Sequence, residues 1–403
     1  MAGPNMMRHL SPTGSPIKFA ELAGWLVNTV TGRNNSEALL QLAKELLGVD
    51  AGFLFSTGRG AMTALLTAVK LQNSDSGRDE VVVPAYTCYS VASSVINAGL
   101  KIRLCDIDPR TLSYDEQQLH QIDFSRVVAI ISANLYGLPN DLPMLEKLAK
   151  TEGVLLIDDA AQSLNAKIDG RYLGSFGDAG ILSLDKGKNV TSIQGGLIVT
   201  NHRGLAESLS QQVGKLDALS FKRQLIEFIK VLIYYFFLNP YAYKLPANIS
   251  FSGLGETRFE TDVEVSKYPA FLSSLATAQF NRIDQITQSR TRHGFYYDGA
   301  LQSNQSITKI DRLAQTEPAY LRYPLLVHDA DKRSELLDRF HEYGISASYP
   351  KSLNCVTEIE AHLVGERRCP GAEAIAGQIV TLPTHAYVRE SDMNQIIETL
   401  AGL

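Results

Sequence analysis

The stretch Leu155-Leu156-Ile157-Asp158-Asp159-Ala160-Ala161-Gln162 is an apolar run that ends in two carboxylates. About one supersecondary unit later comes Ser183-Leu184-Asp185-Lys186-Gly187-Lys188-Asn189. Together they read as a site for pyridoxal phosphate (PLP). That cofactor needs a lysine amine to hold its aldehyde as an imine, and a carboxylate to keep its pyridine nitrogen protonated so that the ring can accept electrons. Side chains alternate along a strand, so one of Asp158 and Asp159 faces the crevice beyond the strand and the other faces away. The residues alone leave the amine open between Lys186 and Lys188, and a solvated surface lysine is the commoner state for either.

Outward from this pair, short β-branched runs such as Glu80-Val81-Val82-Val83, Val127-Val128-Ala129-Ile130-Ile131 and Gly196-Leu197-Ile198-Val199 alternate with helical patterns. The alternation predicts an α/β domain with a mostly parallel sheet covered on both faces, its sites at the carboxyl ends of the strands. Phe55-Ser56-Thr57-Gly58-Arg59-Gly60-Ala61 is a small-residue turn opening an apolar helix. Free amides there suit a phosphate monoester, although a plainly capped helix has the same pattern. A single helix is expected over 270–297. Strand-like runs at 320–327 and 344–349 around a helix at 330–343, with a last helix at 390–401, predict a small α+β lobe. The expected division is a leader and helix over 1–50, a large cofactor-binding domain over 51–290 with an apolar helical insert at about 215–250, and a small C-terminal domain over 291–403.

With 403 residues, 45% hydrophobic, the chain can bury a large core. Its net charge of -5 comes from 38 basic and 43 acidic residues without long blocks, which argues against nucleic acid and for a small-molecule substrate. Cys88, Cys105, Cys355 and Cys369 are too scattered for a zinc site or a disulfide framework, and the histidines show no metal-ligand spacing, so no metal is expected. Residues 1–16 read as a loose leader without a signal-peptide core, and a cytoplasmic protein is expected. The apolar run at 225–238 is too short to span a bilayer. It is interrupted by Glu227 and Lys230, but its part Val231 to Leu238 is apolar on every side of a helix, so burial in a dimer or against the large lobe is expected, with a membrane-surface role as the alternative.

These motifs resemble those of the DegT/StrS-type sugar aminotransferases, PLP enzymes of fold type I. The resemblance runs over about 51–403 and rests on ordered blocks: Thr57 to Leu65, Asp79 to Thr87, Asp106-Ile107-Asp108-Pro109, Leu135-Tyr136-Gly137, Asp158 to Gln162, Gly174 to Gly180, Ser183 to Asn189 and Gly195-Gly196. It implies that Lys188, five positions after Ser183 and directly before Asn189, is the Schiff-base lysine and the proton-moving base. Asp159 then pairs with the pyridine nitrogen, and Gln162 lies beside the ring's phenolic oxygen. Ser183 and the amides of Arg59 and Gly60 hold the phosphate.

The resemblance further implies a homodimer that moves an amino group, from glutamate, onto a nucleotide- or lipid-linked keto-sugar in polysaccharide or secondary-metabolite synthesis. Another PLP reaction, such as dehydration or condensation, and a non-catalytic PLP-binding regulator are the alternatives. Retention of Lys188 favours transamination over dehydration. The chain departs from the family pattern at four places: Cys88 stands where an aromatic ring usually stacks on the cofactor, with Tyr86 or Tyr89 as substitutes. Asn134 replaces a histidine, Gln194 an acidic residue, and Val265-Ser266-Lys267 the usual cross-subunit segment.

Overall fold

The computed structural model describes residues 8–244, 259–302 and 305–403. The expected strands form around the carboxylate-bearing run. They are β1 (Ala51–Phe55), β2 (Glu80–Pro84), β3 (Lys101–Cys105), β4 (Val127–Ala133) and β5 (Leu155–Asp159), then a hairpin of β6 (Lys167–Ile168) and β7 (Arg171–Tyr172), then β8 (Ala179–Ser183) and β9 (Gly196–Thr200). The main sheet has the order β1-β9-β8-β5-β4-β2-β3-β13, where β13 is Leu363–Val364. Only β9 runs against its neighbours, β1 and β8. Strand order reverses between β2 and β4, and a crevice opens beyond the carboxyl ends of strands at such a point.

Strands β2, β4, β8 and β9 are buried along their whole length, the burial that apolar runs need when helices cover both faces. Alternate residues feed two cores. Val81, Val83, Ile131, Ile157 and Ile181 pack into one, and the intervening Val82, Ile130, Leu156 and Leu182 into the other. The N-terminal helices are α1 (Phe19–Thr31), α2 (Ser36–Leu47), α3 (Gly58–Gln72), α4 (Tyr89–Asn97), α5 (Glu116–Leu119), α6 (Leu142–Glu152), α7 (Arg203–Lys215) and α8 (Phe221–Phe237). A second sheet, β10 (Ile307–Lys309), β12 (Arg322–Val327) and β14 (Ile379–Pro383), is antiparallel and builds the C-terminal lobe. The short β11 (Thr316–Glu317) joins the β6–β7 hairpin.

Three expectations need correction. The helix expected over 270–297 is a short 3-10 turn, Ala270–Leu272, and two helices, Ser273–Phe280 and Ile283–Ala300. The chain breaks at Arg282, whose guanidinium turns back to Glu21 and the Pro16 carbonyl. Residues 344–349 form no strand beyond a bridge of Ser346 to Thr381, because β14 takes the place beside β12. Residues 8–17 are no loose leader: Leu10, Ser11, Ser15 and Ile17 are buried. Helix α8 leaves one apolar side uncovered by its own chain. It buries Glu227 and Val231, while Phe221 and Phe236 are 81% and 60% exposed. The loop Ser252-Gly253-Leu254-Gly255 and the end of the expected insert lie outside the described residues.

Candidate active site

At the carboxyl ends of β2, β4, β5 and β8 lies a cavity of about 780 Å³, lined among others by Cys88, Asn134, Asp159, Gln162, Ser183 and Lys188. Alternation at the end of β5 separates the two aspartates. Asp158 points into the protein, fully buried, and accepts hydrogen bonds from Asn134 Nδ2 at 2.8 Å and from the amides of Gly174 and Phe176 at 2.5 and 3.3 Å. Burial pushes its carboxyl up to about 7 even against these donors. Asp159 faces the cavity. Its Oδ1 accepts the Ala161 amide at 3.0 Å, and Oδ2 has no donor among the described residues. Burial raises the Asp159 pKa, opposed by that amide and by the charge of Lys188.

The loop after β8 carries both lysines to the cavity, but unequally: Lys186 is exposed and Lys188 half-buried. Gly187, with φ of 94°, makes the left-handed turn between them. Asn189 then leaves the cavity and donates to the Leu164 carbonyl at 2.9 Å. Burial raises the pKa of Asp185, and the charges of Lys186 and Lys188 oppose it.

The N-terminus of α3 forms the opposite wall. Thr57 caps it by accepting the Gly60 amide on Oγ1 at 2.9 Å. Of the amides expected to hold a phosphate, that of Gly60 is thus engaged by the cap, while that of Arg59, like that of Gly58, stands ahead of the helix ladder. Gly60 is needed instead for close approach, since a Cβ there would come 3.0 Å from the Glu264 carbonyl oxygen. At Gly58 a Cβ would lie 3.2 Å from Ser183 Oγ, so the bare backbone keeps the space between helix tip and serine open. The Arg59 side chain pairs with Glu260, which also lines the cavity. An open anion-binding tip, a hydroxyl facing it, a half-buried carboxylate with a free oxygen and a half-buried amine fit a phosphorylated pyridine aldehyde.

Gln162 is held on both sides: its Oε1 accepts the Tyr136 amide at 3.0 Å, and its Nε2 donates to Tyr349 Oη at 2.8 Å. Neither substitute for the stacking ring lines the cavity. Tyr86 is buried below it, its hydroxyl 3.3 Å from the Tyr349 carbonyl, and the Tyr89 hydroxyl bonds the backbone of Lys351. Cys88 and Thr87 occupy that wall. Asn134 is spent on orienting Asp158 and on the Asn140 amide at 3.0 Å. Val265-Ser266-Lys267 packs on its own chain: Ser266 pairs with Ser56 through both hydroxyls and backbone, and the Lys267 amide donates to Asp217.

Sequence reading missed the part of α8 in this site. Arg223, Glu227 and Lys230 line the cavity, Glu227 bonded to Lys230 at 2.7 Å. Their spacing of four and three residues is a polar stripe along an otherwise apolar helix, and that was the available signal. Tyr349 was also missed, because the C-terminal lobe brings it to Gln162 only through the fold.

Residues 22–228 and 248–401 match the model of the DegT/DnrJ/EryC1/StrS aminotransferase family. The chain is 26% identical to a pleiotropic regulatory protein of Geobacillus stearothermophilus, over 80% of this chain and 78% of that protein. It is also 26% identical to the GDP-perosamine synthase of Caulobacter vibrioides, over 84% and 82% of the two chains. Among solved structures, PseC of Helicobacter pylori, an aminotransferase involved in the biosynthesis of pseudoaminic acid, superposes with a TM-score of 0.79 over 98% of this chain and 99% of that one, at 17% identity. That likeness shows the fold. The match over most of its length identifies this chain as a member of the DegT/DnrJ/EryC1/StrS aminotransferase family.

Proposed function

We propose that the protein is a PLP-dependent aminotransferase that moves an amino group from glutamate onto a nucleotide- or lipid-linked keto-sugar in polysaccharide or secondary-metabolite synthesis. The observation that carries this reading is the meeting of Lys188, Asp159, Gln162, Ser183 and the α3 N-terminus on one cavity. PLP, when bound, supplies an electron sink beside the carbon that carries the amine. Lys188 is then both the residue that holds the cofactor and the base that takes the proton from the donor's α-carbon. Asp159, whose Oδ2 is free, would hold the pyridine N–H, and Gln162 would hold the ring oxygen. Ser183 Oγ and the amides of Gly58 and Arg59 receive the phosphate. Purified protein supplied with PLP is expected to absorb as a lysine-linked cofactor and to lose that band on addition of glutamate. A band that glutamate leaves unchanged would count against amino transfer.

The same reading makes the protein a homodimer. Helix α8 is turned inside out: its charged stripe faces the cavity, while Phe221, Leu225, Ile229, Ile233 and Phe236 form an exposed apolar stripe. Helix α1 packs beside it through Trp25 and Phe228, with ring centroids 4.8 Å apart, and adds the exposed Val27 and Val30. Apolar faces of this extent mark interfaces. Sedimentation is expected to give a dimer at micromolar concentration, and the double variant Ile233→Ser/Phe236→Ser is expected to shift it toward monomer. An active wild-type monomer overturns the dimer, and flotation of that monomer with anionic liposomes assigns the stripe to a membrane instead.

A cofactor-binding part over 51–290 and a small C-terminal part over 291–403 belong to this proposal, although β13 reaches back to pair with β3. So does a cytoplasmic location, which suits the free Cys88, Cys105, Cys355 and Cys369. Among the described residues no helix is long and apolar enough to cross a membrane.

A further inference from the structure

Residues 8–17 run as a strap from the C-terminal lobe to the lysine loop. At the lobe end Arg8 Nη1 reaches both carboxylate oxygens of Asp392, at 2.7 and 2.6 Å, the Leu10 amide donates to the Glu342 carbonyl at 2.8 Å, and the Ser11 carbonyl lies 2.8 Å from His385 Nε2. At the loop end the Thr13 hydroxyl donates to the Gly187 carbonyl at 2.9 Å. The buried Ser15 hydroxyl shares its proton between the carbonyls of Asn189 at 2.7 Å and Lys188 at 2.9 Å.

Ser15 is itself fixed from two further sides. Its oxygen lies 3.2 Å from Arg290 Nη2, which also donates to the Gly14 carbonyl at 2.8 Å. Its amide donates to Tyr234 Oη of α8 at 3.0 Å. Arg290 is fully buried, pairs with no carboxylate among the described residues, and spends its charge on carbonyls and hydroxyls of the strap and lobe, including the Leu321 carbonyl at 2.9 Å. A hydrogen bond donated by a cation polarises the hydroxyl it reaches and strengthens the bond that hydroxyl donates in turn.

The geometry has one consequence for Lys188. Its φ and ψ are set by the peptide planes on either side of its Cα, and those planes carry the carbonyls of Gly187 and Lys188. Both carbonyls are held by strap hydroxyls. The direction in which the lysine side chain leaves the loop is therefore fixed by Thr13 and Ser15, which do not line the cavity. At Gly187 the approach is so close that a Cβ would come 2.9 Å from Thr13 Cγ2.

We propose that Thr13 and Ser15 are positioning residues for the Lys188 amine, and that the strap ties the seating of the C-terminal lobe to the placement of that amine. The inference rests on Lys188 being the cofactor lysine, yet its test needs no cofactor. Cofactor-free protein is treated with trinitrobenzenesulfonate for graded times, and labelling of Lys188 and Lys186 is followed by peptide mass spectrometry. Ser15→Ala and the near-isosteric Thr13→Val are expected to change the Lys188 rate about fivefold, the equivalent of one hydrogen bond. Lys186, in the same loop, should hold its wild-type rate, and Thr13→Ser, which keeps the hydroxyl, should restore that of Lys188. If Ser15→Ala does not fold, Thr13→Val decides alone. Unchanged Lys188 rates overturn the proposal, as do rates of Lys186 and Lys188 that move together, because the strap then only stabilises the loop. Failure of the underlying reading is seen separately in the wild type, where borohydride reduction with PLP would map the adduct to another lysine and remove the premise.

Discussion

Lys188→Ala is expected to lower amino transfer by at least about 10³-fold, because it removes both the covalent hold on the cofactor and the base that moves the proton. Lys186→Ala should cost far less. Both side chains reach the cavity, but Lys186 is exposed, whereas Lys188 is half-buried and its charge acts on Asp159. Borohydride reduction of the PLP-loaded protein, followed by peptide mapping, should place the pyridoxyl adduct on Lys188. An adduct on Lys186 would break the register of the whole site and transfer the large kinetic loss to Lys186→Ala. The two measurements are independent, one covalent and one kinetic, and the assignment needs both to agree.

The α/β architecture was legible because its cause is local. Strands such as Val127–Ala133 are apolar on both faces, and their alternation with helices leaves few topologies open. That one of Asp158 and Asp159 turns to the crevice was legible for a related reason, since neighbouring side chains alternate along a strand; which of them does was implied by the family resemblance and not by the residues alone. What escaped was set by tertiary contacts. At Thr57 the sequence was compatible with both an anion site and a plainly capped helix, and it is the tertiary structure that shows the hydroxyl taking the Gly60 amide. Residues 8–17, rich in Ser, Pro and Gly, carry no periodic pattern, and their burial depends on partners hundreds of residues away at His385 and Asp392. On α8 the part played in the cavity was overlooked because attention to its apolar run passed over the stripe of Arg223, Glu227 and Lys230 that marks the face turned to the cavity.

Asp159→Asn is expected to leave a folded protein that still binds PLP but transfers amino groups about 10²- to 10³-fold more slowly, because an amide cannot hold a pyridine proton as a carboxylate does. Asp158→Asn should show the opposite pattern. Asp158 Oδ2 accepts two backbone amides, and an asparagine NH₂ turned toward them strands buried donors, so a stability loss of about 3 kcal/mol is expected. The pH dependence adds a sign. Asp158 is held at about 7, above the unfolded value near 4, so the folded state binds its proton more tightly. This group therefore favours folding most below about pH 4 and loses that advantage as pH rises to about 7. Asparagine does not titrate, so the gap in melting temperature between wild type and Asp158→Asn should narrow from pH 5 to pH 8. Calorimetry at the two values, with kcat measured alongside for both variants, separates the roles. If Asp158→Asn keeps its melting temperature and loses kcat, the side chains at the end of β5 face the other way, and the site built on Asp159 falls with them.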